Sequence, residues 1–125
     1  MSAQADELTY MRIQTAAFIA ADVKAISLHR TITTPNGSGG YTTAEGAATT
    51  AQDLRLIPQH GNMSPERTTL DGEAAQPNYI LLGNYDADIQ RWDTFTDQGR
   101  RYQVLFVHEK ASYEKKGEVL YLGES

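Results

Sequence analysis

Cysteine is absent from the 125 residues. That excludes a disulfide framework, a thiolate metal site and a cysteine nucleophile. Basic residues are in deficit, with 11 Lys and Arg against 16 Asp and Glu, for a net charge of −5. A chain so charged is a poor candidate for holding the outside of nucleic acid through a basic face. Nothing in it forbids a protein that nucleic acid passes without being gripped. No apolar stretch approaches membrane-spanning length, and the opening "MSAQADELTY" carries acids in place of a basic n-region. We therefore expect no secretory signal, no transmembrane helix and no membrane partner.

Catalytic signatures are missing too. There is no G-x-S-x-G elbow. "PNGSGG" has neither the Lys-Ser/Thr nor the helix that a phosphate loop requires. His29, His60 and His108 show no HxxxH or HxH spacing, so a zinc triad is not indicated. We expect no enzyme activity and no cofactor.

What is present is strand chemistry behind one helix. In residues 6–21, Leu8, Met11, Thr15 and Phe18/Ile19 recur at three-to-four spacing among alanines, and Asp6 can cap the start. "VKAISLHRTITT" (23–34) switches to period two, with Ile26, Leu28 and Ile32 on one face. Residues 35–52 are rich in Gly, Ser, Thr and Ala and read as a long loop, a kind of segment that is often functional. "DLRLIP" (53–58) alternates again and ends at Pro58. Residues 59–77 form a second polar connection, with a short strand and turn at "RTTLDG". "NYILLGNY", "YQVLFV" and "VLYL" are apolar on both faces, so both faces need cover, by the helix and by a neighbouring subunit. The expected architecture is mainly β: one domain over residues 1–125, a helix at 6–21, and a small barrel of about six strands over 23–123 with long loops at 35–52 and 59–77.

One stretch invites a chemical reading, "GNYDADIQRWDTFTDQGRRYQVLFVH" (83–108). Asp86, Asp88 and Asp93 could serve a small metal-binding or hydrolytic barrel. A hard cation, however, needs about six oxygen ligands from a tight loop, and the ordered glycine and terminal glutamate of a calcium loop are missing. The simpler reading is a β-hairpin: aspartates at its bends, Trp92 and Phe95 packed inward, a turn at "TDQGRR" with Gly99 at positive φ, and Tyr102–Val107 as a core strand. Arg91, Trp92, Arg100 and Arg101 are candidates for an interface with an acidic neighbour. The mixed run containing Lys110, Lys115 and Lys116 reads as a solvated turn or a rim contact.

Taken in order, "AFIAADVKAISLHR", the Gly-rich segment, "DLRLIPQ", the aspartate-rich hairpin and "YEKKGEVLYLG" resemble the head-closure (stopper) proteins of the neck of long-tailed bacteriophages. The resemblance runs from about Ala17 to Gly123. Its sharpest part is the aspartate-rich turn, "WD", a glycine turn and "RYQV"; related phage barrels carry a glycine where this chain has Trp92. The resemblance implies a small β-barrel with a helix and extended loops. It also implies a sixfold or twelvefold ring of identical subunits, assembled in the host cytoplasm and built into the virion neck. The ring would lie below the portal and adaptor, above the tail terminator or tail tube, with packaged DNA passing through its channel. By position in the chain, Pro35, Asn36, Gly37, Ser38, Gly39, Gly40, Tyr41, Thr42 and Thr43 would form the loop that reaches the channel. A tail-terminator subunit or another head–tail connector is the alternative within the same class.

Overall fold

The computed structural model describes residues 3–59, 65–69, 72–108 and 112–124, with side chains from Glu7 onward. Helix α1 (Ala3–Ala20) is followed by β1 (Lys24–Ile26), β2 (His29–Pro35), β3 (Tyr41–Ala48), β4 (Gln52–Pro58) and the short β5 (Arg67–Thr68) and β6 (Ala74–Ala75). Then come β7 (Tyr79–Asn84), β8 (Thr94–Asp97), β9 (Arg100–His108) and β10 (Glu114–Glu124). Eight strands form one antiparallel sheet in the order β1-β4-β7-β10-β9-β8-β2-β3, and β5 and β6 pair as a separate ribbon. The sheet curls into a half-barrel, bringing β1 near β8, where Lys24 and Asp97 meet at 3.0 Å. The class is mainly β with one helix, as expected, but the strands number eight plus two where about six were anticipated.

The expected 23–34 strand is broken into β1 and β2, the second connection holds the β5–β6 ribbon, and one further strand comes from the segment read as a long loop. Residues 41–48 are strand β3, paired with β2 from Pro35↔Tyr41 to His29↔Ala48. Composition hid it because almost none of this strand is buried, so no alternation of apolar and polar residues is imposed. Paired threonines at Thr33↔Thr43 and Thr34↔Thr42 supply the β-branched chemistry. In the second connection, Arg67–Thr68 pairs with Ala74–Ala75, and Thr69 N–H donates to Glu73 O at 2.7 Å. His60, Ser64, Leu70, Asp71 and Lys110 lie outside the described residues.

The core lies on the concave face. Leu28, Leu54, Leu56, Leu81, Ile89, Phe95, Tyr102, Val104 and Val119 pack there, with Tyr102 stacked on Phe95 at 5.0 Å and edge-on to Tyr79 at 5.2 Å. Between Glu118 and Val119 the β9–β10 register slips by one residue, leaving Leu105 without a partner in the ladder. That bulge explains why "VLFV" is apolar without alternation. Leu105 is buried, and its carbonyl accepts from Arg91 Nε at 3.0 Å. On the convex face α1 covers β7 and β4, and β5 covers β9. The helix buries Thr15 and Ile19 and half-buries Leu8 and Arg12; Met11 and Phe18, expected to face inward, are exposed.

Two glycines set the shape near the aspartates. A Cβ on Gly83 would meet Ala87 and Leu54 at 2.5 and 2.9 Å, so only glycine lets the 85–89 loop fold back over β7. At the β8–β9 turn, Gln98 (φ +50) and Gly99 (φ +76) both occupy the left-handed region. This is a two-residue hairpin of the type that favours Asn-Gly. Replacing the exposed Gln98 by Asn is expected to stabilise the protein by about 0.5–1 kcal/mol, because Asn tolerates that backbone better. Thermal denaturation of Gln98→Asn checks it.

Candidate functional site

The feature that stands out is an arm. Strand β2 pairs with β8 only at His29↔Thr94; past that point β2 and β3 continue as an isolated two-stranded hairpin. Thr31–Pro35 extends about 17 Å at strand rise. Residues 32–39 and 41–45 are exposed, including Ile32 and Tyr41. From Thr31 to Ala44 there is no charged residue. At the tip, Asn36 N–H donates to Gly40 O at 3.1 Å, and Asn36 Oδ1 accepts from Ser38 N–H at 2.9 Å and Gly40 N–H at 3.2 Å. The loop expected over Pro35–Thr43 is therefore the end of a strand pair, β2 and β3, closed by a compact turn at residues 36–40. An isolated two-stranded hairpin is marginal in water, so the arm depends on what holds its root.

The root is held by polar side chains. Arg30 forms ion pairs with Asp93 and Asp88. Thr31 Oγ1 donates to Trp92 O at 2.7 Å. The ring of His29 bonds Gly46 O through Nδ1 at 2.9 Å. Glu45 accepts from Thr94 Oγ1 and meets Arg101 Nη2 at 3.2 Å. The arm is thus cantilevered from β8, β9 and the 86–93 loop.

Asp93 is the pivot. It is 1 % exposed, yet it carries a carboxylate. One oxygen, Oδ2, binds Arg30 and accepts from Gln90 N–H at 2.9 Å; the other has no partner among the described residues. Burial pushes its pKa up to about 6, against the pull of the Gln90 N–H and the Arg30 charge, with Asp88 adding to the rise. The cation between Asp88 and Asp93 is a guanidinium, and Asp86 stands exposed outside the pair. Among the described residues no three His, Asp or Glu gather as a metal set. Arg30 thus lies between two of the three aspartates, and the third stands apart from them.

The anticipated hairpin packing needs one correction. Phe95 is buried, but it is Asp93, not Trp92, that points fully inward. Trp92 is half-buried at φ +75, and the Arg91 guanidinium lies 4.2 Å from its ring centroid. This left-handed residue immediately precedes Asp93, which turns inward to Arg30. The four candidate interface residues are not one patch. Arg91 and Trp92 stack at the base of the hairpin; Arg100, near Glu124 at 3.9 Å, and Arg101 sit at its far end. Arg101 forms an ion pair with Glu45, on the arm of its own chain.

A second buried carboxylate was not anticipated. Glu118, 2 % exposed, receives Arg67 Nε and Nη2 at 3.1 and 2.8 Å and His108 Nε2 at 2.5 Å. Arg67 also lies 3.9 Å from the Phe106 ring centroid. Burial alone would raise this carboxyl; the Arg67 and His108 hydrogen bonds and charges outweigh it and hold it below its ordinary range. The cluster pins β5 to the convex face of the sheet. The signal in the sequence was a lone acid inside the apolar run "GEVLYL", which requires a cation from elsewhere.

Neither protein-family models nor curated proteins match this chain. No helix among the described residues is long and apolar enough to cross a membrane.

Proposed function

We propose that this protein is a structural subunit of the neck of a long-tailed bacteriophage, a head-closure (stopper) subunit. It forms a ring below the portal and adaptor, joins head to tail and helps retain packaged DNA. The observation that carries the reading is the uncharged arm on a polar root, taken with the resemblance of the ordered sequence blocks to stopper proteins. An arm without Lys or Arg cannot hold phosphates by charge. It can obstruct a channel and then release it, leaving the acidic subunit body to repel DNA. Its marginal stability alone suits a segment with two positions, fixed by neighbouring arms in one and free in the other.

Removing the tip tests this. Residues 33–43 contribute nothing to the core, so deleting them and closing the gap with two glycines is expected to leave thermal stability within about 0.5 kcal/mol. Phage particles assembled with the deleted protein are expected to fill and then lose their DNA, read as nuclease-sensitive genome per head. Full genome retention in particles that contain the deleted subunit would overturn the stopper reading.

A further inference from the structure

The root of the arm carries a buried acid that is only half satisfied. Asp93 is fixed by its own hairpin and not by the arm. Its N–H donates to Gln90 O at 3.1 Å, its carbonyl accepts from Val104 N–H at 2.8 Å, and Oδ2 accepts from Gln90 N–H at 2.9 Å. The other carboxylate oxygen, Oδ1, has no hydrogen-bond partner among the described residues. A buried oxygen without a donor favours the neutral acid. A proton added to Oδ1 breaks no existing hydrogen bond, yet it removes the charge that faces Arg30.

The charged groups around Asp93 are few. Arg30 reaches it from β2, Asp88 stands near it in the preceding loop, and Arg30 pairs with both. The Asp88 side chain is 63 % exposed, so water screens its share of the hold. Glu45 of β3 and Arg101 of β9 pair with each other. His29 donates from Nδ1 to Gly46 O, so a proton gained by its ring goes to the other nitrogen and keeps that bond. The sheet itself holds β2 weakly: its ladder to β8 is the single pair His29↔Thr94, one residue before Arg30. Past that pair, side chains tie the arm to the body, and Arg30 brings the charge.

We propose that Asp93 and Arg30 form a proton-operated latch: with Asp93 ionised the arm is fixed to the body, and with Asp93 neutral the arm is released while the body stays folded. The direction follows from reciprocity. The Arg30 charge favours the ionised carboxyl. Ionising the carboxyl therefore favours Arg30 in place, and neutralising it favours Arg30 away by the same factor. Burial opposes ionisation in both positions of the arm, because Asp93 is held by its own hairpin and stays covered when the arm leaves. Burial also places the titration at about 6, so the latch is closed at neutral pH and opens on mild acidification. The device belongs to the arm and holds whether or not the arm obstructs a channel, so its test is separate from that of the neck reading.

Amide hydrogen exchange on the full chain, read residue by residue and corrected for the intrinsic effect of pH on exchange, tests the latch. From about pH 7.5 to about pH 5, protection along Thr31–Ala44 is expected to fall about fivefold or more while protection in β7 and β9 holds. Asp93→Asn has no charge to lose and is expected to show the low protection at both pH values. Asp88→Asn and His29→Gln are expected to keep the pH step. Arm protection that is unchanged or rises on acidification overturns the latch. So does a step that persists in Asp93→Asn, a step that vanishes in His29→Gln, or a loss of protection shared equally by β7 and β9. If Asp93→Asn does not fold, the wild type and His29→Gln decide between these outcomes.

Discussion

Replacing Arg67 by methionine is expected to destabilise the protein by about 3–5 kcal/mol at neutral pH, the usual penalty for leaving one charge of a buried pair alone. Glu118 is 2 % exposed, and Arg67 supplies two of its three hydrogen bonds. Methionine keeps some packing on Phe106 but offers no donor. The double variant Arg67→Met, Glu118→Leu removes both charges and is expected to regain most of the loss. The pH dependence separates this from a simple packing defect. In the wild type Glu118 is held below its ordinary value of 4.5, so the unfolded chain takes up the proton first as pH falls. The stabilisation is present above that value and is lost as acid reaches the folded-state value. In Arg67→Met, only the burial that raises the carboxyl and the His108 contact remain, so acid neutralises a stranded charge and the deficit relative to wild type shrinks. Urea denaturation at pH 7 and pH 4 measures both. A deficit under about 1 kcal/mol that does not change with pH would mean that Arg67 is a surface rib with no hold on Glu118.

Residues that had to bury a face were legible in the sequence; residues held by distant polar partners were not. "NYILLGNY", "YQVLFV" and "VLYL" became β7, β9 and β10 because short apolar runs rich in β-branched and aromatic residues, bounded by turn signals, suit strands covered on both faces. "TDQGRR" became the β8–β9 turn because Gly99 needed its left-handed backbone. The arm was invisible for the opposite reason. Strand β3 buries almost nothing, so its pairing with β2 leaves no trace in apolar periodicity, and Gly, Ser and Thr read as loop. Asp93 looked like a bend residue because its partner, Arg30, lies 63 positions away. Glu118 and Arg67 are 51 positions apart. In both cases the partner is brought in by the fold from a distant part of the chain. The candidate site was therefore half legible: the segment was found, but its form as a strand-paired arm and the latch at its root were not.

That latch gives the second large effect, with the opposite dependence on pH. Asp93 has its pKa raised from 3.8 to about 6 by burial. As pH rises, the unfolded chain gives up this proton first, and the folded protein holds it until about pH 6. Stability attributable to Asp93 is therefore greatest at low pH and falls as pH rises between 3.8 and about 6. A difference of about two pKa units corresponds to about 3 kcal/mol. Asp93→Asn cannot ionise, so it should lack that slope. Its amide oxygen can still accept from Gln90 N–H and Arg30, at the loss of the charge in that pair. The expected result is a variant about 1–2 kcal/mol more stable than wild type at pH 7, with the advantage gone near pH 4. Because Arg30 is then tied to the body less firmly, amide exchange along Thr31–Glu45 should quicken while exchange in β7 and β9 stays slow. Stability lower than wild type at both pH values would mean that the ion pair outweighs burial at Asp93. The wild type would then trade nothing for a fixed arm. If the slope disappears and the arm loosens together, the buried aspartate lowers overall stability at neutral pH in return for holding the arm in place.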